Sequence, residues 1–291
     1  MSALADRTFT KMNGLGNEIV VVDMRVRAGV ISNAEARAAA RSQAGPYDQL
    51  MALYAPRTPG TDGYVRIYNR DGSEAEACGN GMRCIAELIF EETGKGSVAF
   101  ETRAGVLNCW KGAAAHTCTV DMGKPRFSWN EIPLARAVDD TARIQIHVEL
   151  GNGPPLPPAC ALSMGNPHAV FFVADLGAYD LVTLGPALEH HAIFPKRANI
   201  SLAHVLSPSH IEVRTWERGA GLTKACGSAA CAAAVAAARL GHATRDMNVT
   251  LPGGALQIKW RARDDHVLMT GPVEYERQGR FDAALFKDPV C

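Results

Sequence analysis

The chain lacks an excess of charge of either sign: 30 Lys and Arg balance 30 Asp and Glu over 291 residues. Without a basic run or an acidic tail, it has none of the electrostatic footprint of a nucleic-acid or membrane-surface binder. Long hydrophobic runs are also missing. The N-terminus carries no apolar core of signal-peptide length, and no segment approaches the roughly 18 apolar residues of a membrane span. The most apolar stretch, Cys231 to Ala238, is alanine-rich and ends at Arg239, so it reads as a buried helix. Gly14-x-Gly16 is too short for a dinucleotide fingerprint, and no glycine-rich phosphate loop is joined to a lysine as a pyridoxal site would need. These absences predict a cytoplasmic protein whose partner is a small molecule, with neither nucleic acid nor membrane involved.

What is present is a core and eight cysteines. Apolar residues make up 47% of the chain, enough for two ordinary domains. Cysteines without a secretion signal stay reduced, which leaves catalysis, metal binding or packing. Cys78/Cys84, with five intervening residues, falls outside the usual two-to-four-residue zinc spacing, and Cys226/Cys231, with four, stands only at its limit, so no metal site is expected.

The sequence repeats itself. Tyr64 to Arg70 followed by Cys78-Gly79 has a counterpart in Glu212 to Arg218 followed by Cys226-Gly227. Val65/Val213, Arg66/Arg214, Arg70/Arg218, Cys78/Cys226 and Gly79/Gly227 are identical at one offset, 148 residues (78 to 226). Gly16-Asn17 against Gly165-Asn166 and Gly105/Leu107 against Gly254/Leu256 fall one residue further apart, and Gly123/Gly271 returns to the first offset. A collinear set drifting by one residue is the mark of a duplication with a loop insertion.

Short runs bounded by turn formers predict strands at Glu18–Asp23, Gln49–Ala55, Tyr64–Asn69, Ser97–Thr102, Val106–Trp110 and Thr117–Met122. The second half predicts Ala169–Ala174, Ile211–Trp216, Val249–Leu251, Leu256–Trp260 and Val267–Thr270, with an extra strand near Arg143–Leu150. Helices are expected at Asn33–Ala44, capped by Asn33, at Gly79–Thr93, stopped by Gly94, and at Gly227–Leu240, stopped by Gly241. The expected fold is α+β: two pseudo-symmetric lobes, each a strand-rich mixed barrel around a central helix. Residues 1–125, with the tail 273–291 returning to them, form the lobe of Cys78; residues 126–272 form that of Cys226.

Each cysteine stands immediately before a helix, where peptide N–H groups are free and the helix dipole is positive. That setting is expected to lower a thiol pKa and make the sulfur a base. The N–H groups of Gly79-Asn80 and Gly227-Ser228 form carboxylate cradles. Two such lobes suit inversion of a stereocentre, in which one thiol removes a proton and the other returns one to the opposite face. The carbanion charge would collect on the substrate carboxylate held in the cradles.

At these residues the chain resembles the diaminopimelate epimerases. The motifs are Lys11-Met-Asn-Gly-Leu-Gly-Asn17, Tyr47-Asp-Gln-Leu50, Ala77-Cys-Gly-Asn-Gly-Met-Arg-Cys84, Ser163-Met-Gly-Asn-Pro-His168, Trp216-Glu-Arg-Gly-Ala-Gly221, Ala225-Cys-Gly-Ser228 and Met269-Thr-Gly-Pro272. The resemblance implies interconversion of LL- and meso-diaminopimelate for lysine and peptidoglycan precursors, without cofactor or metal, by a homodimer. It implies Cys78 and Cys226 as the acid/base pair. It further implies Asn17, Gln49, Asn69, Asn166, Asn199, Glu217 and Arg218 as substrate ligands, backbone N–H groups of Gly79, Asn80, Gly227 and Ser228 on the reacting carboxylate, and His168 as a supporting residue. Four positions depart from the pattern: Asn13 replaces a usual histidine, Glu18 a usual aspartate, and Leu222 and Lys224 alter the run before Cys226. Two other readings stay open: a proline or hydroxyproline racemase-like enzyme, against which the Glu217-Arg218 pair argues, and a thiol-redox switch.

Overall fold

The computed structural model describes residues 2–26, 29–75, 78–148 and 154–286. Its contacts divide the chain into Met1–Val120 with Gly271–Cys291, and Asp121–Thr270.

In the first unit the sheet runs, neighbour to neighbour, through Glu274–Arg280, Thr8–Asn13, Glu18–Asp23, Gln49–Tyr54, Gly63–Asn69, Ser97–Thr102, Gly105–Lys111 and Thr117–Asp121. Neighbours are antiparallel except for two parallel pairs, 18–23 with 49–54 and 63–69 with 97–102. A parallel pair needs a crossover. Helix α1 (Asn33–Ala40) lies in the first crossover and α2 (Gly79–Thr93) in the second. The second unit repeats this plan with Cys160–Ser163, Pro167–Phe172, Asn199–Ser207, His210–Glu217, Asp246–Leu251, Gly254–Trp260 and Val267–Pro272. Its parallel pairs, 167–172 with 199–207 and 210–217 with 246–251, enclose α3 (Leu181–Glu189) and α4 (Gly227–Arg239). The short strands Glu74–Ala75 and Gly221–Thr223 each fold back on the strand before them and lead into α2 and α4.

Helix α2 packs against strands 18–23, 49–54, 97–102 and 105–111, and α4 touches six strands of its own unit. The sheets therefore curve about these helices. Alanine at most positions of α4 makes this close approach cheap, since every face presents the same short side chain, and nearly every residue from Gly227 to Ala237 is buried. Strand 18–23 is buried on both faces from Ile19 to Val22, as a near-continuous apolar run between two layers should be. The described helices and strands agree with the α+β class expected.

The structure corrects the helix ends and the extra strand. Helix α1 is capped by Ser32, not Asn33, because Ser32 and Glu35 form a reciprocal capping box. It ends at Ala40, short of Ala44: the Ser42 hydroxyl donates to the Ala39 carbonyl and accepts from the Ala44 N–H, which closes a turn. The strand expected at Arg143–Leu150 reduces to one bridge between Ile144 and Ala159, although Ile144 and Ile146 bury their side chains in strand-like alternation. Residues 149 and 150, like Ala77 and residues 287–291 of the expected tail, lie outside the described residues.

Helix α3 escaped the sequence because Gly185 and Pro186 sit inside it. Gly185 has a packing reason: a Cβ there would lie 2.3 Å from the Trp216 ring. Trp216 is held from its other end, its indole N–H donating to buried Glu189 at 2.7 Å, so it cannot swing away. Gly185→Ala is therefore expected to cost about 1–3 kcal/mol as an overpacking change. Urea denaturation checks this, and an unchanged midpoint would contradict it.

Candidate active site

Both motif cysteines occupy the N-cap of a buried helix, Cys78 at φ −147°, ψ 103° and Cys226 at φ −126°, ψ 109°. Extended backbone at this position lets the side chain fold back over the first free N–H groups. The Gly81 N–H donates to the Cys78 sulfur at 3.3 Å. Cys78 is half-buried and Cys226 buried, and neither is in a disulfide.

Within the first unit, Asn17 reaches Cys78. Its Oδ1 lies 3.9 Å from Sγ, while its Nδ2 donates to Asp48 Oδ2 at 2.9 Å. Gln49, the first residue of its strand, pairs in register with Asn69, the last of the next, and donates to its Oδ1 at 3.2 Å. Asn69 in turn donates to Ser73. Asn80 is buried at the start of α2 and accepts from Arg83 at 3.0 Å. Gly14 allows the turn bearing Asn17 to lie against this point, since a Cβ there would meet the Asn80 carbonyl oxygen at 3.2 Å.

The second unit builds the same arrangement from partly different groups. Asn166 Nδ2 donates to Ser228 Oγ at 3.3 Å, and that hydroxyl lies 3.6 Å from the Cys226 sulfur. Asn199 begins its strand, as Gln49 does, and its Oδ1 accepts from the Arg218 N–H at 2.9 Å. Glu217 ends the next strand, as Asn69 does, and accepts from Thr223. The exposed Arg218 guanidinium donates to the Lys196 carbonyl at 3.2 Å. Glu189, which the sequence reading missed, anchors this segment by accepting from Trp216, from the Gly219 N–H at 3.0 Å and from Arg197 at 3.3 Å. No motif marked it.

The expectation that a helix start lowers both thiol pKa values fails for Cys226. Burial pushes that thiol up and the Glu217 carboxylate pushes it further, against the weaker pull of Ser228 and the Ala229 N–H. Full burial removes the solvation that a thiolate needs, and the helix end does not replace it. His168 is driven the other way. Burial takes it down to about 3, with Arg218 adding to the effect, so its ring is neutral. Its Nε2 lies 2.8 Å from Asn166 Oδ1, and Nδ1 is buried with no hydrogen-bond partner.

Two of the departures from the family pattern touch each other. Asn13 Nδ2 donates to Glu18 Oε1 at 3.2 Å, while Asn13 Oδ1 accepts from the Gly16 N–H. The pair braces the turn that carries Asn17. Leu222 and Lys224 flank the strand pairing of Thr223, and nothing in the structure explains those changes.

Away from the cysteines, an open depression of about 200 Å³ is lined by Asp62, Asn108 and Trp110 among others, and shares no residue with the site. Glu87, Glu91 and His116 bring three ligand-type atoms within 4.8 Å of one another, a group that includes neither cysteine.

Comparison with known proteins follows the same lines. Over nearly the whole chain the architecture is similar to that of a hydroxyproline epimerase from Agrobacterium vitis (TM-score 0.70, 13% identity, 99% of this chain and 95% of that one). It is similar also to a phenazine biosynthesis protein from Bacillus anthracis (TM-score 0.67, 15% identity, 96% and 99%). These likenesses define the fold class. The model of the diaminopimelate epimerase family matches residues 9–128 and 160–276. Diaminopimelate epimerases of Nitrobacter hamburgensis and Rhodopseudomonas palustris are 59% and 58% identical over 98% of the chain, covering 99% and 97% of their own lengths. The chain belongs to the diaminopimelate epimerase family.

The depressed pKa of His168 has a consequence for stability. An unfolded histidine takes up a proton near pH 6.5, whereas the folded one resists until about 3. Its contribution is therefore complete above about pH 6.5 and is lost as the pH falls toward 3. His168→Gln keeps an N–H for Asn166 but cannot titrate. Denaturant midpoints between pH 7 and 4 should fall more steeply in the parent than in the variant, and equal slopes would refute this.

Proposed function

We propose that the chain interconverts LL- and meso-diaminopimelate by passing an α-proton between Cys78 and Cys226 without a cofactor. The observation that carries this reading is the repeated constellation: in each unit a cysteine occupies the N-cap of a buried helix, and the asparagine of the duplicated Gly-Asn pair reaches toward it, Asn17 to the Cys78 sulfur and Asn166 to the Ser228 hydroxyl beside Cys226.

The roles follow from the surroundings. Cys226 enters protonated, because burial and Glu217 disfavour its thiolate. It is the acid. Cys78, with the Gly81 N–H on its sulfur, is the base. Its thiolate takes the α-proton, and the electron pair left behind moves into the substrate carboxylate as an enediolate. The N–H groups of Gly79, Asn80, Gly227 and Ser228 stabilise that charge as it grows. Cys226 then returns a proton to the opposite face, leaving the sulfurs in exchanged states from which the reverse reaction starts.

Diaminopimelate carries an ammonium and a carboxylate at both ends. Glu217 suits an ammonium, Arg218 a carboxylate, and Gln49, Asn69, Asn166 and Asn199 add neutral hydrogen bonds. His168 holds Asn166 in place. The Glu217-Arg218 pair favours this substrate over proline, which has no distal charges. The reading further takes the two units as catalytic lobes and the enzyme as a cytoplasmic homodimer. Among the described residues no helix is long and apolar enough to cross a membrane.

Incubation with LL-diaminopimelate in D₂O should place deuterium on the α-carbon as optical rotation changes, whereas proline should remain unlabelled. Cys78→Ala and Cys226→Ala should each reduce epimerisation by at least about a thousandfold, the scale on which lost acid–base groups act. Near-parental turnover by either variant would overturn the mechanism.

A further inference from the structure

We propose that Asp48 is a positioning residue: it sets which end of the Asn17 side-chain amide faces Cys78. The inference rests on Cys78 being a reacting thiol.

An ionised carboxylate has no proton to give, so only the Nδ2 of Asn17 can face it. Two donors converge on the same oxygen of Asp48: Asn17 Nδ2 at 2.9 Å and the Glu18 N–H at 2.9 Å. The Asp48 N–H donates to the Glu18 carbonyl at 2.8 Å, fixing the backbone beneath. The turn itself is braced. The Gly14 N–H donates to the Asn17 carbonyl at 3.0 Å, and Asn13 ties Gly16 to Glu18. What remains to be decided is the rotation of a planar amide. With Nδ2 on Asp48, Oδ1 turns toward the sulfur.

The orientation matters chemically because the Gly81 N–H already donates to that sulfur. The Asn17 carbonyl accepts an S–H, so these two contacts suit one protonation state each, as a group that both takes and returns a proton requires. A flipped amide would offer a second donor and favour the thiolate alone.

The second unit makes the opposite choice with a different residue. Ile19 pairs with Gln49 where His168 pairs with Asn199, and Ala198 stands before Asn199 where Asp48 stands before Gln49. Asn166 thus has no carboxylate partner. Its Oδ1 meets the His168 ring nitrogen and its Nδ2 goes to Ser228. Equivalent asparagines are turned opposite ways, by an acceptor in one unit and by a histidine in the other.

The test compares Asp48→Leu with Asp48→Asn in the full chain. It reads kcat and KM with LL-diaminopimelate, the rate of Cys78 alkylation by iodoacetamide at neutral pH (followed by peptide mass spectrometry), and circular dichroism. Asp48→Leu should lower kcat by about 10- to 100-fold, the usual effect of removing an outer partner. It should also speed Cys78 alkylation by about fivefold, the ratio set by one ordinary hydrogen bond. Asp48→Asn keeps an acceptor oxygen for the two converging donors and should stay near the parent in both. Parental kcat and alkylation in Asp48→Leu, or Asp48→Asn impaired as badly as Asp48→Leu, would overturn the proposal. If Asp48→Leu loses the native spectrum, Asp48→Ala replaces it. If neither folds, the activity of a folded Asp48→Asn decides alone, parental kcat in support and lost kcat against. An active Cys78→Ala enzyme would remove the catalytic reading, while the alkylation arm would still report the amide's orientation.

Discussion

Peptide N–H groups left over at the start of an α-helix must find acceptors, and here two such starts are enclosed by protein with a cysteine at each N-cap. Burial makes those donors expensive to leave unpaired and strong when paired. An anionic ligand that meets them displaces little water and gains much. The curvature of each sheet, the small residues of α4 and the glycine at position 81 all serve to bring a helix end into that position. Glycine at 81 lets α2 lie against Met51, where a Cβ would come within 2.6 Å of the sulfur.

The two units share a plan and differ in polarity. One presents Cys78 half-buried between a backbone N–H and an amide carbonyl; the other presents Cys226 buried, beside a hydroxyl and near a carboxylate. A strictly symmetric pair of thiols would have no preferred resting proton. Glu217 stands where the first unit has Asn69, and its carboxylate makes the surroundings of Cys226 unlike those of Cys78. The duplicated plan sets the geometry, and side chains at equivalent positions make the two thiols unlike.

Neutral amides recur among the candidate site residues of both units. Asn17 donates to Asp48, Gln49 to Asn69, Asn69 to Ser73, Asn166 to Ser228 and Asn199 to the Pro167 carbonyl. Amides cost less to bury than charges, yet their two unlike ends make orientation a matter of function. Asp48 stands behind Asn17, which reaches Cys78 directly, whereas His168 stands behind Asn166, which reaches Cys226 only through Ser228.

Much of this was legible in the sequence. The offset of 148 residues announced two copies of one plan, the glycines after Thr93 and Leu240 marked helix ends, and residues 79 to 93 and 227 to 240 read as helices that no proline interrupts. Helix α3 did not announce itself, since Gly185 and Pro186 hide it, and strand 199–207 went unmarked despite Pro195 and Asn199 at its start. Residue types by themselves placed Cys78 and Cys226 at helix starts, because capping is local chemistry. The rise in the Cys226 pKa, the partnership of Asp48 with Asn17 and the anchoring by Glu189 came only with the tertiary structure. Those depend on burial and on contacts between residues far apart in the chain, and no local pattern encodes how deeply a sulfur is covered or which way an amide is turned.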